Sequence, residues 1–190
     1  MGKRIIQQAR GHGSLTYRVR KRAYIYTIGY PIVSGVGKII DIFDSSAHSA
    51  PLAKIEIGGK IFYNPAFNGM IVGEEISIGE GSKNGDITEI GKMATGTKIY
   101  NIENNPGDGG KMIRTAGSSA MFVKKTGNVV AILMPSRKEI KIDARCRATI
   151  GTISGNGRLD KPLVKAGNKW HIMKARNKLW GTTSALKTNV

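Results

Sequence analysis

The sequence carries one cysteine, Cys146, in 190 residues. No internal disulfide is available, and a reducing, intracellular setting is expected. Aromatic residues are only 6%, so the cores should be small and built mainly from Ile, Val, Leu and Ala. There is no apolar run near 18 residues and no signal-peptide layout, which argues against a membrane-spanning helix. No strongly amphipathic basic helix is legible, so an anionic membrane surface is a poor partner. Acids are scarce as well: 13 Asp and Glu stand against 30 Lys and Arg, a net charge of +17.

What is present follows from these absences. Hydrophobic residues reach 40%, enough for one ordinary domain or two small ones and too many for wholesale disorder. The 25 glycines and 6 prolines suit many turns and short strands, and no helix beyond a turn or two is read from the pattern. A chain at +17 repels itself unless a polyanion neutralises it. Nucleic acid fits that need, because each phosphate contact releases a counterion.

The charge is segregated. Residues 1–30 hold +7 with no acid, residues 31–104 hold −3, residues 105–157 hold +6 and residues 158–190 hold +7. Two modules with basic arms are expected. The arms mix cations with rings that can stack on bases, Tyr17, Tyr24, Tyr26 and Tyr30 at one end and Trp170 and Trp180 at the other. The tryptophans serve equally well as small apolar anchors on a barrel. The candidate RNA contacts of the first arm are Arg4, Arg10, His12, Arg18, Arg20, Lys21 and Arg22. Those of the second are Arg158, Lys161, Lys165, Lys169, Trp170, His171, Lys174, Arg176, Lys178 and Trp180. Neither arm holds enough apolar surface to fold alone.

The middle reads as strands. "LAKIEIGGKIFYN" (52–64) sets Gly58-Gly59 between two alternating runs, a strong hairpin signal. "VSGVGKIIDIF" (33–43), "EEISIGE" (74–80), "GDITEIGK" (85–92) and "TKIYNIE" (97–103) add further short strands. "AMFVKKTGNVVAILMPSRKEIKIDARCRATIG" (120–151) reads strand, Gly127-Asn128 turn, strand, Pro135-Ser136 turn, strand, strand. Strands recurring every 8–12 residues indicate small barrels or sandwiches. The expected fold is all-β, with two small barrels at 33–95 and 96–157 and basic arms at 1–32 and 158–190.

Enzyme motifs fail on inspection. In "NPGDGGKMIRTAG" (105–117), Gly110-Lys111 is followed by Met112 and the residue five before Gly110 is Asn105, so the phosphate-loop pattern breaks at both ends. Gly107 and Gly109 lead to Met112 where a dinucleotide fingerprint needs glycine. His12, His48 and His171 are too dispersed to suggest a metal site. No nucleophile-elbow pattern occurs. Arg145 and Arg147 flank Cys146 and would lower its pKa, although an inward-facing strand residue is the plainer reading. No catalytic residue, metal or cofactor is expected; Mg2+ at an RNA interface is the one ion such a chain leaves room for.

"SAPLAK", "NPGDGGKMIRTAG", "CRATIG" and "GNGRLDKPLVKAGNKWHIMKAR" in this layout resemble the family of universal ribosomal protein number two of the large subunit, in its archaeal and eukaryotic branch. The chain start "MGKRIIQQARGHGS" looks like that branch too. The resemblance covers essentially the whole chain. It implies an OB-type barrel, an SH3-like barrel and extended arms that thread into ribosomal RNA. The implied role is a non-catalytic constituent that binds large-subunit rRNA. It further implies support of the peptidyl transferase region, contacts with neighbouring ribosomal proteins and help in subunit association. A free-standing OB/SH3-type nucleic-acid-binding factor is the alternative.

By the same resemblance, Gly107, Gly109 and Gly110 bring backbone N–H groups to phosphate. Lys111 and Arg114 add charge there, and Arg114 in "RTAG" matches a family arginine that contacts rRNA. Arg145 and Arg147 are further candidates. Truncating Arg114 is expected to weaken RNA binding and leave the fold unaffected. Two departures from the family pattern stand out. His48 in "DSSAHSAPLA" occupies a place where an RNA-binding arginine is expected. Gly181-Thr182-Thr183 follows Trp180 where an Arg-bearing stretch is typical. The chain reaches "LKTNV" about where a His- and Gly-rich segment would begin, so no residue here takes the role of that segment's histidine.

Overall fold

The computed structural model describes residues 10–15, 17–19 and 21–175. The chain divides into two compact units: residues 22–158, and residues 1–21 with 159–190. The first unit is all-β. Its ten strands are β1 (Gly35–Phe43), β2 (Leu52–Ile57), β3 (Lys60–Pro65), β4 (Glu75–Gly79), β5 (Ile87–Glu89), β6 (Lys98–Tyr100), β7 (Ala120–Thr126), β8 (Val129–Leu133), β9 (Glu139–Asp143) and β10 (Arg147–Ile150).

They form one continuous sheet in the order β3-β2-β1-β4-β5-β10-β6-β7-β8-β9. The β2–β3 hairpin turns at Gly58-Gly59, with Ile57 opposite Lys60; both glycines have positive φ, as a two-residue hairpin loop requires. β7 and β8 turn at Gly127-Asn128 with Thr126 opposite Val129. The pairing is antiparallel except for β4 and β5, which run parallel with Ile78 opposite Ile87. The last strand returns to the middle: β10 pairs with β5 through Thr149 and Ile87 and with β6 through Ile150 and Ile99.

Alternation along the strands produces two separate cores. One gathers Ile39, Ile55, Ile76, Ile78 and Ile87 with Tyr30 and Phe62. The other gathers Ile90, Ile99, Ile102, Phe122, Val130 and Ile132 with Cys146. A third, small cluster of Ala50, Phe67, Tyr100 and Ile153 forms where the chain after β10 runs back beside residues 66–68, with the Ser154 N–H donating to Ala66 and the Asn68 N–H to Thr152. Tyr100 is fully buried, and its hydroxyl donates to the Pro65 carbonyl at 3.0 Å. Phe122, 1% exposed, anchors the second core; its truncation to alanine should cost about 3–5 kcal/mol.

In the other unit the described residues form a 3-10 turn at Arg10–His12 and one helix, α1 (Ala166–Ala175). The reading that no helix exceeds a turn or two is therefore corrected there. The helix escapes a periodicity search because its residues 166–171 are all exposed and its apolar residues do not gather on one face. Among the described residues, no helix is long and apolar enough to cross a membrane.

Candidate nucleic-acid interface

The glycine loop of residues 105–117 follows β6 and is held from beneath by one carboxylate. Glu103 has no exposed surface. Its Oε2 accepts the Gly107 N–H at 3.2 Å and its Oε1 the Gly109 N–H at 3.0 Å. The same carboxylate accepts the Arg147 backbone N–H at 2.8 Å and pairs with the Arg147 guanidinium at 2.9 Å. Asp108 Oδ1 takes the Gly110 N–H at 3.1 Å. The amides expected to wait for phosphate are thus occupied by the protein's own carboxylates, and that expectation is corrected for Gly107, Gly109 and Gly110. Backbone donors in a glycine-rich turn form an anion-binding concavity; here the anion is built in.

Gly110 is indispensable for steric reasons. Its φ is +85°, and a Cβ would lie 2.5 Å from the Asn101 carbonyl oxygen. Asn101 in turn belongs to a closed ring of hydrogen bonds, three between side chains and one to its own backbone carbonyl. Asn101 Nδ2 donates to Asn64 Oδ1 at 2.8 Å, and Asn64 Nδ2 donates to Thr149 Oγ1 at 3.1 Å. The Thr149 hydroxyl meets the Tyr30 hydroxyl at 2.8 Å, and Tyr30 donates to the Asn101 carbonyl at 2.5 Å. With the last bond assigned, Thr149 must donate to Tyr30, so every bond runs in one rotational sense. Asn64, Asn101 and Thr149 have no exposed surface and Tyr30 only 8%. Donors aligned this way polarise one another. Burial, above all, holds the Tyr30 phenol far above its ordinary pKa.

Arg114 joins this ring from the loop side. Its Nε donates to Asn101 Oδ1 at 2.8 Å, and its Nη2 donates to the carbonyls of Ile28 at 3.3 Å and Gly110. The side chain is half-buried, and desolvation is the main cause that lowers its pKa. The expectation that the fold is indifferent to Arg114 is corrected: its guanidinium ties the loop to the segment before β1. Arg147 is likewise turned inward. Its side chain is 18% exposed, its Nη1 donates to the Pro31 carbonyl at 2.7 Å, and its guanidinium lies over the Tyr30 ring at 5.4 Å. That duty removes Arg147 from the cations that face outward.

His48 stands close to this arrangement. Its Nδ1 is 2.9 Å from Ser45 Oγ, its ring meets Tyr24 edge-on at 5.8 Å, and the neighbouring Ser49 Oγ accepts the Ala116 N–H at 3.0 Å. Burial first, and the Arg114 charge second, lower the His48 pKa, which favours the neutral ring. The two segments expected to contact RNA, around His48 and around Arg114, are therefore brought together. Cys146 is buried and its thiol is pushed up to about 11 by burial and then by nearby carboxylates. The two flanking arginines do not activate it: Arg147 is neutralised by Glu103 and Arg145 pairs with Asp143 at 2.9 Å.

The remaining candidates divide cleanly. His12, Arg18, Lys21, Arg22, Lys111, Arg145, Arg158, Lys161, Lys165, Lys169, Trp170 and His171 are exposed. Arg4, Arg20, Arg176, Lys178 and Trp180, and the side chain of Arg10, lie outside the described residues. In the unit that contains α1, Lys174 Nζ sits over the rings of Trp170 at 5.2 Å and Tyr17 at 5.3 Å, and Trp170 meets His171 edge-on at 5.0 Å. Two of the tyrosines read as base-stacking residues have other work: Tyr30 is in the buried ring, and Tyr26 packs between Phe43 at 4.6 Å and Tyr63 at 5.0 Å. Sequence reasoning missed Glu103, Asn101, Asn64 and Thr149. The one available signal was an asparagine and an acid, Asn101 and Glu103, just ahead of a glycine-rich basic loop.

Comparison with known proteins places the chain in a family. The family model described as "Ribosomal Proteins L2, C-terminal domain" matches residues 83–188. The chain is 40% identical over 194 residues to the large ribosomal subunit protein uL2 of Sulfolobus acidocaldarius, covering 100% of this chain and 82% of that protein. It is 40% identical over 195 residues to that of Hyperthermus butylicus, with the same coverage. It is 41% identical over 187 residues to that of Pyrobaculum neutrophilum, covering 95% of this chain and 76% of the relative.

Proposed function

The chain belongs to the ribosomal protein L2 family, and from that premise we propose that it is a structural constituent of the large ribosomal subunit that binds rRNA chiefly through phosphate contacts. The observation that carries this reading is the fate of the cations. The inward-turned arginines, Arg114 and Arg147, hold the glycine loop in shape, while the cations of both units that remain exposed carry most of the +17 charge outward. A scaffold stiffened by an internal ion pair and an inward-turned arginine, with its other cations left exposed, is suited to bind a polyanion without chemistry of its own. The exposed candidates above are the contacts, and the glycine loop positions Lys111 rather than offering its amides. His48 lends the interface little charge at neutral pH.

The two modules, 33–95 and 96–157, are read as OB-type and SH3-like barrels, and of the basic arms 1–32 and 158–190 the part that reaches into RNA excludes residues 22–32, whose Ile28 and Tyr30 pack into the first unit. The setting is the cytoplasmic ribosome, beside other large-subunit proteins and near the small subunit and the peptidyl transferase region. The chain is not a catalyst. Binding of the purified chain to large-subunit rRNA should weaken steeply with salt. Neutralising about six to ten phosphates implies a log–log slope of roughly −4 to −9. A nearly flat slope would sink the electrostatic reading. Co-sedimentation with the large subunit in high salt is also expected; a chain that washes off and stays in the supernatant is a free-standing OB/SH3-type factor.

A further inference from the structure

The turn between β8 and β9 holds an arginine in a backbone conformation that arginine disfavours. Arg137 has φ +64°, in the left-handed region where a Cβ crowds the backbone and glycine is the usual occupant. The turn is well formed: the Arg137 N–H donates to the Met134 carbonyl at 2.9 Å, and the Met134 N–H donates to Lys138 at 2.9 Å. Among the described residues nothing compensates for the choice of residue. Arg137 is exposed, and among the described residues its guanidinium has no hydrogen-bond or ion-pair partner.

The face that continues from this turn carries two lysines beside two acids, Glu139 opposite Leu133 and Asp143 opposite Val129, and Asp143 is already paired with Arg145. Ala131 of the central strand β8 lies opposite Lys124 of β7 and Lys141 of β9. Directly opposed residues share a face, so the two lysines stand on either side of one alanine, about 10 Å apart across two strand spacings. Val130 and Ile132 point into the core, and Ala131 points away from it yet is only 4% exposed, as expected if the lysine stems cover it. Lys124, Lys138 and Lys141 are exposed and have no ion pair among the described residues.

We infer that the β8–β9 turn, with Lys124 and Lys141 on the outer face of β7 and β9, forms a phosphate-binding surface for RNA, with Arg137 as its tip contact. A backbone outlier kept for no internal purpose points to an external one. A planar fork at a turn apex can grip a phosphate bidentately, and two lysines behind it extend the track. The inference rests on the rRNA-binding reading above and adds a surface that the motif residues do not include.

The test is filter binding of the intact chain to purified large-subunit rRNA, with thermal melting of the free protein. Arg137→Gly removes the charge and relieves the backbone. It should bind about five- to tenfold more weakly, with a salt slope shallower by about one, yet melt no lower than wild type. Arg137→Lys should retain most of the affinity. Lys92→Ala, which removes a cation already paired with Glu89, should bind like wild type. Wild-type affinity and slope in Arg137→Gly would overturn the inference, as would a loss that comes with a lower Tm. A defect seen only in assembled subunits and not on naked RNA would assign the turn to an acidic protein neighbour and also overturn it. Failure of the wild-type chain to bind rRNA would instead sink the underlying reading.

Discussion

The Glu103 carboxylate lies 2.9 Å from the Arg147 guanidinium with no exposed surface of its own, and it also holds the Gly107 and Gly109 amides. One buried anion thereby fixes β10 to the glycine loop. Removing its charge leaves the mostly buried arginine without a counterion, a change that typically costs 3–5 kcal/mol. Glu103→Gln should destabilise the first unit by about 3 kcal/mol in urea unfolding. Amides of residues 107 and 109 should exchange faster than in wild type. An unchanged midpoint with unchanged exchange would show that the loop is held by something else.

Arg114 makes its bonds to Asn101, Ile28 and Gly110 from one planar group. Arg114→Ala should lower stability by about 1–3 kcal/mol, since it strips a partner from the buried ring and from two carbonyls. Arg114→Lys should recover little, because an ammonium cannot reach Asn101 and the two carbonyls with the same fixed fork. Thermal melting of the free proteins reads this without RNA. If Arg114→Ala melts like wild type and loses only RNA affinity, Arg114 faces outward in solution and the inward geometry is wrong.

The buried Cys146 thiol offers a probe of the second core. With its pKa pushed up to about 11, only about one thiol in a thousand is ionised at pH 8, and burial blocks reagent access as well. Labelling of the native protein should be slow and should accelerate in denaturant in step with unfolding. Rapid stoichiometric labelling of the folded chain would contradict both the burial and the depressed acidity.

Strands and hairpins were legible in the sequence because their signals are local. Gly58-Gly59 between alternating runs demanded a turn, and Gly127-Asn128 did the same. The long-range part was not legible. Nothing local says that β10 inserts between β5 and β6, or that Asn64, Asn101 and Thr149, far apart in the chain, close one ring with Tyr30. The loop misled for a related reason. Glycines with positive φ announce exposed amides, and the residue that fills them, Glu103, lies in a stretch that reads only as the end of a strand. Charge told which residues would seek phosphate in aggregate and not which arginines the fold keeps for itself.

The helix α1 illustrates the other blind spot, and its energetics imply a measurable coupling to RNA. It is ten residues long with no acid in its first turn, while Lys165 and Lys169 lie near its N-terminus, where the helix dipole disfavours cations. Isolated helices this short are marginal in water, and exposed residues 166–171 bury no apolar stripe to compensate. Phosphates along the exposed cations would supply the missing counter-charge. Amide exchange over residues 166–175 should therefore be fast in the free chain and slow in the rRNA complex. Gly167 provides a sharper handle, because a Cβ there meets nothing within 4 Å. Gly167→Ala should favour the helix by up to about 1 kcal/mol. It should slow exchange in the free chain and tighten rRNA binding by up to about fivefold, since less ordering remains to be done on binding. Slower exchange in Gly167→Ala with unchanged or weaker affinity would mean that the helix is not the RNA-bound form of this segment.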